Sequence, residues 1–264
     1  MTEIIQEKII ENLRVRIYES RSAMGADAAK DVAEKINDLL AHKEFVNILF
    51  AAAPSQNEFL HFLSKRQDVH WNRVNAFHMD EYIGLEKDAP QRFGIFLKER
   101  IFDKVSLHAL YYLNGNASNI DAECKRYADL LNQYPTDIAC MGIGVNTHLA
   151  FNDPHVADFD DPQLVKKVEL DEVCRQQQVD DGSFDHLSNV PSSAITLTIP
   201  ALMKTNYIYC IVPGLKKSQA IYHTINGEVN ERHPSTVLRR HSNAILYLDL
   251  DSSTGIERKI DSKV

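Results

Sequence analysis

Short apolar runs of strand length alternate along this chain with longer segments in which apolar residues recur at helical spacing. The runs that resemble strands occupy residues 45–50, 73–77, 136–144, 206–212 and 244–250. Helical periodicity marks residues 29–40 and 127–134, and residues 215–227 form another candidate helix that Gly227 would end. Such alternation is typical of βαβ units. The sequence therefore predicts an α/β fold, a Rossmann-like three-layer α/β/α sandwich with a mainly parallel sheet.

The composition limits what kind of protein this is. A chain of 264 residues can bury one sizeable core, so we expect residues 1–264 to form a single domain. Its 44% hydrophobic and 25% charged residues are those of a globular protein. The net charge of -8 argues against a nucleic-acid partner, so an anionic ligand would need a local basic pocket.

The sequence shows no signal for export or membrane insertion. No stretch approaches the ~20 apolar residues of a membrane span, and the segment MTEIIQEKIIENLRVRIYES mixes acids and bases, unlike a signal peptide. The cysteines are widely spaced and form no CxxC pair, so neither a zinc site nor a disulfide framework is indicated; they are Cys124, Cys140, Cys174 and Cys210. We expect a cytoplasmic protein without a membrane partner.

Two adjacent carboxylates, Asp80 and Glu81, follow the second predicted strand. Ligands of parallel α/β sheets bind beyond the carboxyl ends of the strands. Phe77 and Tyr82 are close enough in sequence to shield Asp80 and raise its pKa toward the range that suits proton transfer. Asp80 is therefore a candidate acid–base group, and a solvated acidic turn is the alternative.

Another group of polar residues follows the third predicted strand. Asn146, His148 and Asp153 come shortly after two glycines that permit a tight backbone. An imidazole transfers protons near neutral pH when a neighbour fixes its orientation, which either Asn146 or Asp153 could do. The alternative is a polar loop whose histidine caps a helix or bonds the backbone.

The residues that follow two further predicted strands are candidates for binding an anion. Ser55 and Glu58 have the spacing of a capping box, which predicts a helix N-terminus with backbone donors for a phosphate. Lys216 and Lys217 lie at a predicted helix start, where the helix dipole disfavours a cation unless an anion faces it. A cap without a ligand and solvated lysines are the alternatives.

The acidic and polar residues 155–190 interrupt the alternation of strands and helices. They show no sustained periodicity, and long irregular loops in compact domains are often lids or binding loops. We predict that this segment forms a long irregular loop that covers the site.

Four stretches resemble, in this order, motifs of the glucosamine-6-phosphate deaminase/isomerase family: FHMDEYIGL, MGIGVNTHLAFNDP, VPGLKKSQAI and HPSTVLRRHSNAILYLD. The similarity runs from about the first predicted helix to about residue 250. Related proteins include galactosamine-6-phosphate isomerases and, more distantly, 6-phosphogluconolactonases. The resemblance implies an aldose–ketose isomerase or deaminase that acts on a phosphorylated amino sugar without a metal or organic cofactor. It is compatible with a homo-oligomer.

The resemblance also implies roles for individual residues. Asp80 would transfer a proton between C1 and C2 of the open-chain sugar through an enediol or enolamine. His148 would open the pyranose ring by moving a proton to the ring oxygen, and Asp153 would orient this histidine. Deaminases usually have Glu at the position of Asp153.

The sugar phosphate would be held by two parts of the chain. Lys217 matches a phosphate-binding lysine of the family, and Pro54, Ser55 and Gln56 match its phosphate-binding turn, although the usual glycine pair is missing from AAAPSQNEF. The arginine that follows the covering loop in the family has no clear counterpart in DDGSF. Arg175 is the candidate for its role.

The chain departs from the family at Asn146 and Thr147, where deaminases usually have Asp-Gly before the histidine. We expect His148 to lose one carboxylate partner and to become a weaker base. Thr147 is expected either to crowd the substrate or to disfavour a positive φ that glycine would allow. Asn at position 146 also occurs in relatives that act on galactosamine phosphate.

Two other functions are considered. Lactonases of this fold tend to carry Asp-Glu-Arg where this chain has Asp80-Glu81-Tyr82, which favours the isomerase over a sugar-phosphate lactonase. A non-catalytic sugar-phosphate sensor would usually carry a DNA-binding segment, for which the sequence offers no room.

Overall fold

A computed structural model describes residues 4–256 of the chain. Its strands are β1 (Ile4–Ile10), β2 (Leu13–Tyr18), β3 (Val46–Phe50), β4 (Val74–His78), β5 (Asp80–Tyr82), β6 (Ala109–Tyr111), β7 (Ile138–Met141), β8 (Val165–Glu169), β9 (Ser193–Leu197), β10 (Tyr207–Val212) and β11 (Ala244–Asp249). Its helices are α1 (Arg21–Leu40), α2 (Asn57–Ser64), α3 (Phe93–Arg100), α4 (Ile120–Gln133), α5 (Glu172–Asp180), α6 (Ile199–Met203) and α7 (Ser218–Asn226). Within this described range, no helix is long and apolar enough to cross a membrane.

The strands form one large sheet and one small sheet. The large sheet has eight strands in the order β1-β2-β11-β10-β7-β3-β4-β6. Its β1–β2 pair is antiparallel and its other neighbouring strands run parallel. The small sheet is antiparallel, with the order β5-β9-β8. The predicted α/β fold with a mainly parallel sheet is confirmed.

Helices cover both faces of the large sheet. Along β3, Val46 and Ile48 belong to the core cluster that contains α1, α2 and α3, whereas Leu49 belongs to the cluster that contains α4, α6 and α7. Successive side chains of a strand point to opposite faces, and every residue of β3 is buried, so this strand is covered on both sides. This gives the three layers that the sequence predicts.

The strand order reverses beside β3. The chain passes from β3 to β4 on one side, and later places β7 on the other side of β3. The segments that leave the carboxyl ends of β3 and β7 therefore diverge and open a crevice between them, which is where open α/β sheets bind ligands.

Most element boundaries agree with the sequence prediction. The predicted strand at 136–144 is shorter in the structure, because the extended backbone of β7 ends before Gly142. Gly227 ends α7 as predicted, and its N–H donates to the carbonyl oxygen of His223 at 2.8 Å. A Cβ atom at Gly227 would lie 2.7 Å from that oxygen, so this position favours glycine.

The prediction of a long irregular loop over residues 155–190 is wrong, because this segment contains β8 and α5. Only Cys174, Gln177 and Gln178 of α5 are buried, and two of these are polar, so the helix has no apolar stripe for a sequence pattern to reveal. Both glutamines line the cavity described below, so the segment does cover the site.

Candidate active site

A cavity opens at the carboxyl ends of β3 and β7, at the reversal of strand order. About 500 Å³ of space, including open solvent at its mouth, lies between its walls. Phe93 and Phe151 form part of its apolar wall. Its polar lining residues are Ser55, Asp80, His148, Gln177, Gln178 and Lys217.

Asp80 lies on β5, where it is paired with Thr196 of β9, and its side chain lines the cavity. The residue is 7% exposed. Burial, assisted by the nearby charge of Glu81, raises the pKa of Asp80 well above its ordinary value. The aromatic residues that line the cavity with Asp80 are Phe93 and Phe151, and not Phe77 and Tyr82 as the sequence predicts. A buried carboxyl group with a raised pKa can both accept and return a proton near neutral pH.

Glu81, unlike Asp80, accepts hydrogen bonds from backbone N–H groups. Its Oε1 accepts backbone N–H groups of Tyr82 and Phe93 at 3.0 and 3.1 Å, and its Oε2 accepts that of Gly94 at 3.1 Å. The last two groups are free donors in the first turn of α3. Glu81 therefore ties α3, with the cavity-lining Phe93, to the strand that carries Asp80.

Glu81→Gln should reduce the free energy of unfolding by about 1–3 kcal/mol, because the amide nitrogen of Gln would face a buried N–H donor that has no other acceptor. Urea denaturation measures this loss. The matched control is Glu99→Gln, whose side chain on α3 is 63% exposed and which should change stability by less than about 0.5 kcal/mol. Equal stability of the two variants would mean that the Glu81 carboxylate does not anchor α3.

His148 lines the cavity with Asp153 behind it. Nδ1 of His148 lies 3.0 Å from Oδ1 of Asp153, and Asp153 is fully buried. A Cβ atom at Gly144 would lie 2.2 Å from the ring atoms Cε1 and Nε2 of His148, so the ring needs a glycine beneath it. Burial acts to raise the pKa of Asp153, but the contact with His148 and the amide of Asn146 outweigh it and lower this pKa. An ionised Asp153 can hold the imidazole in one orientation.

Asn146 contacts the same pair. Its Nδ2 donates to Oδ1 of Asp153 at 3.0 Å, and its Oδ1 accepts the backbone N–H of His148 at 3.2 Å. His148 thus keeps one carboxylate neighbour, Asp153, although residue 146 is an amide. The structure brings Asn146, His148 and Asp153 together, as the sequence predicts.

Thr147 has φ 72°, in the left-handed region where a β-branched residue is strained. The expectation that threonine excludes a positive φ here is therefore wrong. Its side chain is buried and donates to the carbonyl oxygen of Asn146, and its own carbonyl accepts the N–H of Ser235 at 2.9 Å. Thr147 is absent from the cavity lining, so the expected crowding of a substrate is not seen either.

Lys217 lies at the end of a 3-10 turn, Leu215–Lys217, immediately before α7. It is 8% exposed and lines the cavity, and burial lowers the pKa of its ammonium group to about 8. Across residues 4–256, neither a hydrogen bond nor an ion pair engages its Nζ atom. The neighbouring Lys216 is exposed and donates to the carbonyl oxygen of Asp180 at 3.1 Å. An anion in the cavity would give Lys217 the partner that it lacks.

The predicted capping box at Ser55 and Glu58 is wrong. A 3-10 turn, Pro54–Gln56, precedes α2, and Ser55 lies within this turn rather than at an extended N-cap position. The carboxylate of Glu58 instead pairs with Arg21, at 3.0 Å.

Of the three residues of this turn, only Ser55 lines the cavity, together with the preceding alanines. Gln56 is buried behind the lining, where its Nε2 donates to the carbonyl oxygen of Ile211 at 3.1 Å and to Oγ of Ser55 at 3.2 Å. The carbonyl oxygen of Pro54 accepts from Arg21 at 3.3 Å. Pro54 and Gln56 therefore shape the turn that presents Ser55.

Arg175 does not line the cavity, so its predicted role in phosphate binding is not supported. Its Nη2 donates to the carbonyl oxygens of Leu187 and Val190 at 2.8 and 3.0 Å. Through Nη2 the guanidinium group holds the chain that follows α5.

Sequence reasoning missed two cavity residues, Gln177 and Gln178. Oε1 of Gln177 accepts the backbone N–H of Val145 at 2.9 Å, which joins α5 to the loop that carries His148. The only signal in the sequence was a run of three glutamines in a segment without periodicity.

One ligand atom each of His148, Asp153 and Cys174 lie within 4.8 Å of one another, and all three residues are buried. This spacing would admit a metal ion. Oδ1 of Asp153 lies 3.0 Å from Nδ2 of Asn146 and 3.0 Å from Nδ1 of His148. We interpret Asp153 and His148 as part of a polar network that orients the imidazole ring.

Comparison with known proteins identifies relatives over most of the chain. A family model described as glucosamine-6-phosphate isomerases/6-phosphogluconolactonase matches residues 19–247. A glucosamine-6-phosphate deaminase of Bacillus cereus (strain B4264) is 34% identical over 188 residues, which cover 71% of this chain and 70% of the relative. Another from Listeria monocytogenes serotype 4a (strain HCC23) is 32% identical over 209 residues, covering 79% of this chain and 87% of the relative.

Solved structures share the fold. A monomeric glucosamine-6-phosphate deaminase superposes with a TM-score of 0.82 at 25% identity, covering 90% of this chain and 98% of that chain. The 6-phosphogluconolactonase of Thermotoga maritima superposes with a TM-score of 0.73 at 17% identity, covering 89% of this chain and 98% of that chain. At that identity the lactonase supports the fold alone.

Proposed function

Because the chain belongs to the glucosamine-6-phosphate isomerase/6-phosphogluconolactonase family, we propose that its cavity converts a hexosamine 6-phosphate into a ketose 6-phosphate with release of ammonia. One observation carries this proposal. A single cavity holds a carboxyl group with a raised pKa, Asp80, an imidazole backed by a carboxylate, His148, and a buried lysine with no partner among residues 4–256, Lys217. These are the groups that proton transfer on a phosphorylated sugar requires.

The phosphate binds at the Lys217 end of the cavity. Lys217 supplies the charge, and Ser55 presents a hydroxyl group from the turn after β3. Gly142 lies beside this turn, since a Cβ atom there would be 3.4 Å from Oγ of Ser55. A phosphate anchored in this way places the sugar carbons toward Asp80 and His148, which line the same cavity.

His148 opens the ring of the bound sugar. Its Nδ1 faces Asp153, so its Nε2 is the ring nitrogen left for the substrate. The imidazole relays the proton of the C1 hydroxyl group to the ring oxygen while the bond between C1 and the ring oxygen breaks and the C1 aldehyde forms. The carboxylate of Asp153 stabilises the imidazolium that arises during this transfer.

Asp80 then moves the proton that interconverts aldose and ketose. Its carboxylate removes the proton from C2, a double bond forms between C1 and C2, and the oxygen on C1 takes up a proton from solvent to give an enolamine. The same carboxyl group returns its proton to C1, which leaves an iminium at C2. Water hydrolyses the iminium to the ketone and ammonia. The raised pKa of Asp80 suits it to both proton transfers.

Glucosamine 6-phosphate and galactosamine 6-phosphate differ in their configuration at C4, and we propose both as candidate substrates. Asn146 stands where most deaminases have aspartate, and asparagine occurs at this position in relatives that act on galactosamine phosphate.

Incubation of the purified protein with each hexosamine 6-phosphate tests the function when ammonia and ketose phosphate are measured separately. Equal amounts of both products are expected. Ketose formation without ammonia would establish an isomerase that is not a deaminase. Hydrolysis of 6-phosphogluconolactone without activity on either amino sugar would favour the lactonase, and binding without turnover of any of the three would favour the sensor.

A further inference from the structure

Asn146 bridges two carboxylates. Its Nδ2 donates to Oδ1 of Asp153 at 3.0 Å and to Oδ2 of Asp171 at 3.3 Å. Asp171 directly precedes α5, in a different part of the chain from the loop that carries His148. A second carboxylate, that of Asp171, therefore approaches His148 and Asp153, although residue 146 is itself an amide.

The bridge fixes the side chain of Asn146 in one orientation. An amide has two N–H donors on one atom and a carbonyl acceptor on the other. Both carboxylates need the donors, so the carbonyl Oδ1 must face the other way, where it accepts the backbone N–H of His148 at 3.2 Å. Turning the amide over would bring its oxygen against two carboxylates and its NH₂ group against an N–H donor.

Asp171 is held in place independently of Asn146. Its Oδ1 accepts the backbone N–H of Cys174 at 2.6 Å and so caps α5, which leaves Oδ2 free to face Asn146. Within residues 4–256, three titratable groups surround Asp171. The backbone of Asp171 helps to lower the pKa of Asp153. The other two groups are the thiol of Cys174 and the ring of His155, whose Nδ1 lies 4.0 Å from Oδ2 of Asp171. His155 is half-exposed, and its Nε2 contacts the carbonyl oxygen of Glu169 at 3.0 Å.

We propose that Asp171 is a positioning residue that, through Asn146, holds the carboxylate of Asp153 against the ring of His148. The inference rests on the proposed function for its catalytic meaning, but the contact itself does not depend on the substrate. It accounts for the amide at position 146: the second carboxylate near the histidine is supplied by Asp171, the residue that caps α5, instead of by the loop that carries His148.

The simplest alternative is that Asp171 only caps α5. Asp171→Asn separates the two roles, because asparagine is as good an N-cap as aspartate but carries no charge. With a neutral residue at 171, Asn146 loses the acceptor that fixes its orientation, and the region around His148 loses one negative charge. Glu172→Gln is the matched control, since it removes an exposed carboxylate from the adjacent position.

Titration of the His148 ring by NMR in the free protein is the test, with the ring signal assigned by its absence from His148→Gln. The midpoint of this titration should fall by about one pH unit in Asp171→Asn and should stay unchanged in Glu172→Gln. Asn146→Asp, which places three carboxylates together, should raise it by a similar amount. The double variant Asn146→Asp/Asp171→Asn again has two carboxylates and should return to within about half a unit of the native midpoint.

Steady-state kinetics of the same variants provide a second measurement. Asp171→Asn should lower kcat/KM by about tenfold in the native background, yet raise it in the Asn146→Asp background by relieving repulsion between carboxylates. An unchanged His148 titration in Asp171→Asn would overturn the inference and leave Asp171 as a helix cap. If the titration moves as expected but no hexosamine phosphate is turned over, the proposed function fails and the positioning contact stands.

Discussion

Asp80→Asn is expected to lower kcat for the hexosamine phosphate by about 10² to 10⁴, the usual contribution of a general acid–base group. Asparagine keeps the shape of the side chain and removes the group that takes the proton from C2. Phosphate binding should be nearly unchanged, because the proposed phosphate ligands are Lys217 and Ser55, which this substitution leaves in place. Steady-state kinetics and the binding of inorganic phosphate measure the two effects. Near-native turnover would exclude Asp80 as the proton carrier.

The stability of Asp80→Asn provides the control for folding. Burial raises the pKa of Asp80 above its unfolded value of 3.8, so the folded protein keeps this proton to higher pH than the unfolded chain does. The contribution of Asp80 to stability is therefore present at low pH and is lost as the pH rises through the raised pKa. Asp80→Asn should have a melting temperature at least as high as the native protein at pH 8, with the difference shrinking toward pH 4. A large loss of stability at pH 8 would mean that the low activity reflects misfolding.

Lys217→Ala is expected to raise KM for the phosphorylated substrate by about 10- to 100-fold with a smaller change in kcat, because a charge-assisted contact to phosphate is lost. The matched control is Lys216→Ala, which removes an exposed ammonium group from the preceding position and should change KM by less than about twofold. Equal KM values for the two variants would place Lys217 outside the phosphate site.

The same lysine predicts a pH dependence. Its pKa in the free protein is lowered to about 8, so the ammonium charge is present below this pH and is lost as the pH rises above it. KM of the native protein should therefore increase by up to about tenfold per pH unit above pH 8, whereas KM of Lys217→Ala should be high and nearly flat over that range. A flat native profile would mean that the charge of Lys217 does not contribute to binding.

The sequence predicted the groups that depend on strand ends. Asp80, His148 and Lys217 each follow an apolar run, and parallel strands bring their carboxyl ends to one edge of the sheet. The structure places all three in one cavity. The sequence alone does not show whether Asp80 or Glu81 faces that cavity, because this depends on the pairing of β5 with β9 in the small sheet.

The predictions for the capping box at Ser55 and for Arg175 failed for local physical reasons. Ser55 and Glu58 have the spacing of a capping box, but Pro54 opens a 3-10 turn that places Ser55 inside it. The resemblance to the family implies an arginine near Arg175, but no sequence pattern reveals that its Nη2 donates to backbone carbonyls of the following segment. The role of Asp171 depends on a contact between chain segments 25 residues apart, which a single sequence does not encode as a motif.

The fate of deuterium at C2 shows whether Asp80 removes the proton from this carbon. Glucosamine 6-phosphate and galactosamine 6-phosphate, each deuterated at C2, would be incubated with the native protein and with Asp80→Asn, and the label remaining at C2 would be followed by NMR. We expect the native protein to remove deuterium from C2 of at least one of them in step with the release of ammonia, and Asp80→Asn to leave it in place. Removal of the C2 deuterium by Asp80→Asn at the native rate would mean that another group takes the proton from C2.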